Sequence, residues 1–337
     1  MMNLRKGIEK MLMIDPFKKT GRAEEINEAQ KEETDGLERF YNEIAPPETL
    51  ERNFKTWEAH LNKLLQEKYP DPVDLKLVIE KATEYARTLP ICHGTKYEAI
   101  RKANISNFSS KAMFRVLRPN TTGWGYGNTC DFDNKHELDH FVYCFLGNIP
   151  PKENDLPSTF DTQAYINNDV LEREGTLVAL EDWAWGTKRR LGDHAENGLR
   201  KRTSFDEEER EAFNVHLQQI WTGENFVVLF PLMLACAYDD PHDYDRRRPF
   251  PKNVVPEGLP PLTHFDKCQG EISDFPNFEI RIPQKIATSD ILSFAVDSSA
   301  FEQTPTEKNL IIVPTELSVE EKREFVRKKL AELRGKQ

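Results

Sequence analysis

The sequence predicts an α+β fold, with helices before and after a region of short strands. Three observations carry this. Between Leu50 and Ala86 apolar residues recur at steps of three and four, the period of helices that bury one side. From Leu89 onward short apolar runs alternate with clusters of Gly, Pro, Asn and Asp, the texture of strands joined by turns. Near the end, Ser318 and Glu321 fit a capping box ahead of an apolar stripe at Phe325, Val326, Leu330 and Leu333.

Taken in order, residues 1–45 are charge-rich and weakly periodic, and read as a disordered or loosely helical tail. Leu4, Ile8, Met11 and Leu12 suit a short amphipathic helix within it. A helical lobe is expected over 46–88. Leu50, Phe54, Trp57, Leu61 and Leu64 give one helix that Pro70 ends, and Leu75, Val78, Ile79, Ala82 and Ala86 give a second that runs to Pro90. Residues 89–300 form the strand-rich part, with strands expected over 89–92, 112–117, 141–146, 176–180, 277–282 and 291–296. Within it, 186–211 is a polar insertion and 213–238 reads as one buried helix that Pro231 kinks or ends. A linker and the capped helix occupy 301–337.

The 337 residues bound the chain to one large domain or two medium ones, and 38% hydrophobic content suffices for a sizeable core. A net charge of −11 argues against nucleic acid as the main partner, because phosphate binding needs a concentrated basic face. Cys92, Cys130, Cys144, Cys236 and Cys268 are widely spaced without a CxxC pair, so they read as thiols of a reducing compartment rather than a disulfide framework. Met1 to Lys19 lacks the continuous apolar core of a signal peptide. The longest apolar run, Phe226 to Tyr238, is too short to span a bilayer. The expectation is a soluble protein without a membrane span. It would act in the cytoplasm, or be secreted into a host cell without a conventional signal peptide.

Two stretches carry the chemistry. In the first, the apolar run Leu89-Pro90-Ile91-Cys92 reaches His93-Gly94-Thr95, and Lys96-Tyr97-Glu98-Ala99-Ile100 follows with helical spacing. This puts a ring nitrogen beside a bare backbone, with Thr95 able to cap the helix. The plain alternative is a strand-to-helix turn with a half-buried histidine. In the second, Phe275 to Ile286, alternation sets Phe278, Ile280 and Ile282 on one face and Asn277, Glu279 and Arg281 on the other, with Pro283 ending the strand. The plain alternative there is an edge strand with a solvated face.

Together these stretches resemble the ADP-ribosyltransferase superfamily, the fold of diphtheria-like toxins and poly-ADP-ribose polymerases. The early match is His93-Gly94-Thr95; the late match is Glu279 with Ile280-Arg281-Ile282-Pro283 and then Ile291-Leu292. The resemblance covers roughly 89–297 and implies a split β-sheet core with a helical N-terminal extension. It implies NAD as substrate, cleavage of the nicotinamide–ribose bond, and transfer of ADP-ribose to a protein acceptor, as in an effector or toxin. Glu279 would stabilise the oxocarbenium-like ribose, His93 would hold a ribose hydroxyl, the Gly94 backbone would face the nicotinamide amide, and Thr95 would belong to the same cofactor site. Tyr143 or Tyr126 would stack on the nicotinamide ring, and Asn277 would line the same site. Arginine-modifying members carry a second carboxylate where Asn277 stands, so arginine is the less favoured acceptor.

A second constellation is His136-Glu137-Leu138-Asp139-His140, a formal H-E-x-x-H. On a helix, His136 and His140 would lie one turn apart, bind zinc and let Glu137 activate a metal-bound water, as in a zinc metallopeptidase. A third ligand such as Glu172 or Glu174 would have to be invoked without a motif. The other reading of this segment is a solvated turn before a strand. A third function class is a non-catalytic binding protein that keeps the transferase scaffold. The sequence shows no phosphate loop, dinucleotide glycine fingerprint or nucleophile elbow.

Overall fold

The computed structural model describes residues 23–95, 108–110, 130–147, 161–180, 206–239, 254–259, 278–301 and 310–335. Helix α1, Ala23–Arg39, runs into a wide π-type turn, Phe40–Ile44. The second half of the expected tail is therefore a helix that joins the core. Ile26, Glu33, Leu37 and Phe40 fall on one side of it and are buried. The run reads as a tail because these few residues are spread thinly among charges.

Helix α2, Pro47–Lys68, and α3, Pro72–Thr88, match the expected pair. Pro occupies the first turn of each, where the missing N–H costs nothing. Asp71 caps α3, its carboxylate accepting from the Val73 N–H at 2.7 Å. Leu50, Asn53, Trp57, Leu61 and Leu65 are the buried face of α2. Asn53 Nδ2 donates to the carbonyls of Leu217 (2.6 Å) and Ile220 (3.0 Å), which ties this helix to the turn beneath it.

The strands are β1 Ile91–Thr95, β2 Phe108–Ser109, β3 Phe141–Leu146, β4 Thr162–Ile166, β5 Leu177–Ala179, β6 Ile220–Thr222, β7 Glu279–Pro283, β8 Lys285–Ile286, β9 Ile291–Asp297 and β10 Leu310–Val313. Helix α4 is Cys130–Lys135, α5 Asp206–Leu217, α6 Gly223–Ala237 and α7 Val319–Arg334. Eight strands form one sheet in the order β10-β9-β4-β1-β3-β7-β5-β6, and β2 pairs with β8. The β9–β10 pair is parallel and the other pairs of the large sheet are antiparallel, so the sheet is mixed and the fold is α+β. The strand expected over 112–117 and most of the polar insertion lie outside the described residues.

The stretch 213–238 is not one helix. Its first part ends α5, Ile220–Thr222 pairs with β5, and α6 begins at Gly223. Thr222 makes the break by capping α6, accepting from the Asn225 N–H at 3.2 Å. A Cβ on Gly223 would lie 2.0 Å from the Leu171 carbonyl oxygen, so only glycine fits this crossing.

Side chains alternate across the sheet. The first face carries Ile91, Val142, Cys144, Ile166, Val178 and Ile280 beneath α2, α3 and α6. Trp57 meets Trp221 edge-on here, with ring centroids 5.0 Å apart. The second face holds two separate apolar clusters. At one end Phe141, Leu177, Ala179 and Ile220 lie with Leu37, Phe40, Phe132 and Phe213. At the other, Cys92, Tyr165, Ala295 and Ile311 lie under Val326 and Leu330 of α7. Ser318 and Glu321 make the capping box at the start of that helix. No helix among the described residues is long and apolar enough to cross a membrane.

Candidate active site

Polar and charged side chains gather on the second face, between the two apolar clusters, where β1, β3 and β7 run side by side. The register fixes which side chains share this ground. Cys92 stands opposite Phe145, and Phe145 opposite Glu279; Tyr143 stands opposite Arg281. Alternation therefore sets Cys92, Gly94, Tyr143, Phe145, Glu279 and Arg281 on the second face.

Arg281 is the centre of the group. Its Nε makes an ion pair with the Glu279 carboxylate, and its Nη1 lies 3.7 Å from the Asp133 carboxylate of α4 and 3.3 Å from the Leu138 carbonyl. The guanidinium carbon sits 3.6 Å from the centroid of the Tyr143 ring, a cation–π contact. Asp133, Glu279 and Arg281 are each 0% exposed. Two carboxylates thus share one guanidinium out of water. Such burial is tolerated only while the charges stay together, because removing one partner strands the others at a cost of about 3–5 kcal/mol. Burial also lifts the Tyr143 phenol well above its ordinary range; Arg281 opposes this, and Asp133 and Glu279 add to it.

His93 is not in this group. It pairs across β4 with Ala164, which in turn faces Phe294, so its ring belongs to the first face. The expected convergence of the His93 imidazole and the Glu279 carboxylate does not occur. Each step along a strand flips the side chain, and the residue in line with Glu279 is Cys92. The His93 ring lies 4.5 Å from the Phe108 ring, and its Nδ1–H donates to the Tyr143 carbonyl. A carbonyl only accepts, so Nδ1 carries the proton and Nε2 is an acceptor. Burial pushes the His93 pKa down, which keeps the imidazole neutral. Thr95 is buried at the end of β1. Tyr126, Asn277 and the helix expected after Thr95 lie outside the described residues.

The H-E-x-x-H segment is not helical. Helix α4 stops at Lys135, Glu137 takes a left-handed conformation (φ 55°), and Leu138–His140 form a tight 3₁₀ turn into β3. His136 and His140 therefore do not share a helix face, and the zincin pair is not formed. His136 is packed among Phe132 and Phe213, with tilted rings whose centroids are 4.5 and 4.2 Å away. A turn before a strand is what the segment becomes, but His136, Asp139 and His140 are buried rather than solvated. Glu137, Asp139 and His140 each offer one ligand atom within 4.8 Å of the others. Their nearest pairings are with the protein itself. Glu137 Oε2 is 3.0 Å from His140 Nε2, and Arg39 Nε donates to Glu137 Oε1 at 2.8 Å.

Beside this turn lies a polar contact that the sequence alone did not reveal. Glu33 of α1 is 3% exposed, accepts from the Ser110 hydroxyl, and has its pKa pushed up to about 8. Burial is the main cause; Ser110 opposes it, nearby Asp139 adds to it, and Lys285 opposes it. A signal existed in Gly36, a helix-breaking residue in the middle of a helical run. A Cβ there would lie 1.9 Å from His140 Nε2, so the glycine is what lets α1 reach the turn.

No protein-family model matches this chain, and no curated protein matches its sequence.

Proposed function

We propose that this chain is a mono-ADP-ribosyltransferase that cleaves NAD and transfers ADP-ribose to a protein acceptor. One observation carries the reading. The strand bearing His93-Gly94-Thr95, the strand bearing Tyr143 and the strand that begins at Glu279 are consecutive neighbours in the sheet, β1-β3-β7. The first and last of these segments are far apart in the chain. Their meeting around a tyrosine supports the resemblance between the two motifs and that family.

The chemistry suits the second-face group. As the C1′–N bond of NAD breaks, its electron pair moves to the nicotinamide nitrogen and positive charge builds on the ribose. Glu279 is the carboxylate that stabilises this charge and orients the acceptor, which attacks C1′ and releases its proton to water. Tyr143 supplies the ring on which nicotinamide stacks, and Gly94 leaves its side of the sheet open. His93 acts through the backbone: its Nδ1–H anchors the Tyr143 carbonyl from the other face, so it is a positioning residue. Action in the cytoplasm, or after delivery into a host cell, belongs to the same reading, as does a protein acceptor.

The complete burial of Glu279 and its pairing with Arg281 favour a second reading, a scaffold that binds partners without turnover. Incubating the pure protein with labelled NAD and a cell lysate separates the two. Transfer of label and release of nicotinamide that vanish in a Glu279→Gln protein whose melting curve shows it to be folded support the transferase. Label transfer that persists in that variant refutes the role of Glu279, and no turnover at all favours the silent scaffold.

A further inference from the structure

The nicotinamide ring of NAD is a flat cation with delocalised charge. Under the function proposed above, it stacks on Tyr143 next to the Glu279 carboxylate. That position is already taken by a flat, delocalised cation of the protein. The Arg281 guanidinium carbon is 3.6 Å from the Tyr143 centroid, at stacking distance, while Nε is paired with Glu279. We propose that Arg281 is a built-in surrogate for nicotinamide, which fills the stacking site, holds the carboxylate, and must be displaced for NAD to bind. The inference rests on that functional reading.

Three features of the site fit a plug better than a fixed brace. Arg281 is 0% exposed, so the Tyr143 face cannot receive a second ring while the guanidinium is there. The group engages both features that the substrate would need, the aromatic face and the carboxylate, and not just one of them. The guanidinium also reaches a second set of acceptors. Nη1 is 3.7 Å from Asp133 and 3.3 Å from the Leu138 carbonyl. A guanidinium that leaves Tyr143 can swing onto Asp133, and so remains paired while Glu279 is released to the ribose. Planarity is essential to this mimicry. An ammonium can pair with either carboxylate but cannot stack flat on the ring.

The energetic consequence is a population shift. If the open form is a minor fraction of the protein, the apparent NAD affinity is reduced by that fraction, and loosening the plug restores it. The variant that tests this is Arg281→Lys. It keeps a positive charge between Glu279 and Asp133, and so avoids the unfolding that a neutral residue invites, but it leaves the Tyr143 face uncovered.

The measurements are NAD binding by calorimetry and nicotinamide release, made on the full chain as wild type, Arg281→Lys and Glu279→Gln. The expected result is at least tenfold tighter NAD binding by Arg281→Lys than by wild type. If wild type releases nicotinamide in a Glu279-dependent way but Arg281→Lys binds NAD no more tightly, the plug is refuted and the transferase stands. If no variant binds NAD or releases nicotinamide, both are refuted. A readout on the wild type alone is the Arg281 side-chain Nε–H signal, assigned by through-bond correlation to its own backbone. It should move when saturating NAD is added, and a signal unchanged in the NAD-bound protein overturns the proposal.

Discussion

His93 and Glu279 project from opposite faces of the sheet, two strands apart, because the residue in register with Glu279 through Phe145 is Cys92. The histidine therefore touches the proposed chemistry only through the Tyr143 carbonyl. This separates three substitutions that a shared site would make equivalent. Glu279→Gln and Tyr143→Leu should each cut nicotinamide release per folded molecule by about 100-fold, the scale of losing one preorganised electrostatic contact. Glu279→Gln should in addition destabilise the fold by about 3–5 kcal/mol, because it strands the buried Arg281. His93→Ala should leave release within about tenfold of wild type. Its main effect should be on stability, a loss of about 1–3 kcal/mol from a buried carbonyl that loses its donor. Thermal melts and single-turnover assays on the three variants check the split. Abolished turnover in folded His93→Ala would put the imidazole back at the reacting ribose.

The sequence carried the helices and the middle strands well, since α2, α3, α7, β3 and β9 have strong periodicity or capping chemistry of their own. It did not disclose β6, which is three residues long and sits inside an apolar run that also suits a helix. Only pairing with β5 and the cap at Thr222 decide against the helix. It also could not show which face His93 takes. The alternation within β1 and within β7 was readable, but their relative phase depends on the β1–β3 and β3–β7 registers, which are long-range facts. The H-E-x-x-H pattern misled for the opposite reason. Spacing at i and i+4 means a shared face only if the segment is helical, and the left-handed Glu137 ends that condition.

Glu33 gives the protein a pH-dependent stability. Its carboxyl ordinarily titrates at 4.5 and is pushed up to about 8 in the fold, so between these values the folded state keeps a proton that the unfolded chain has lost. Stability is complete below the lower value and falls as pH rises through the upper one, at about 1.4 kcal/mol per unit inside the window. Asp139 beside it works in the same direction, and Lys285 works against it. Glu33→Gln should remove this slope and be the more stable protein at pH 8. Melting temperatures of both proteins from pH 5 to 9 test it; parallel curves would mean that Glu33 is ionised in the fold.

Gly36 sets the distance between α1 and the turn before β3. Alanine is the better helix former by about 1 kcal/mol, and on an open helix Gly36→Ala would stabilise. Here the new methyl would stand 1.9, 2.4 and 2.6 Å from three atoms of the His140 ring, which is buried and held by Glu137. Overpacking of this kind costs about 1–3 kcal/mol, so the clash outweighs the helix gain. Gly36→Ala should lower the melting temperature. Gly335→Ala, whose Cβ would meet Ala331 O at an ordinary 3.5 Å, should be neutral or slightly stabilising. A Gly36→Ala protein as stable as wild type would show that α1 does not press on His140.

Helix α7 is held to the sheet by a buried charge as well as by its apolar stripe. Lys322 Nζ lies 3.1 Å from the Asp297 carboxylate, which also accepts from the Ser299 N–H (3.0 Å) and from the Thr315 hydroxyl (2.9 Å). Burial alone would raise the Asp297 pKa, but Ser299, Lys322 and Thr315 together outweigh it and hold the carboxyl well below its usual range. A depressed carboxylate stabilises the fold above the unfolded pKa, about 3.9, and this contribution fades as pH falls below it. Asp297→Ala should therefore cost about 3–5 kcal/mol near neutral pH, because it strands a buried ammonium. Lys322→Met should cost less, since Ser299 and Thr315 still serve the carboxylate and the methionine stem refills the space. Denaturant unfolding at pH 7 and pH 3 decides the matter. The gap between wild type and Asp297→Ala should narrow at pH 3, and a gap that widens there would mean that the pair opposes folding.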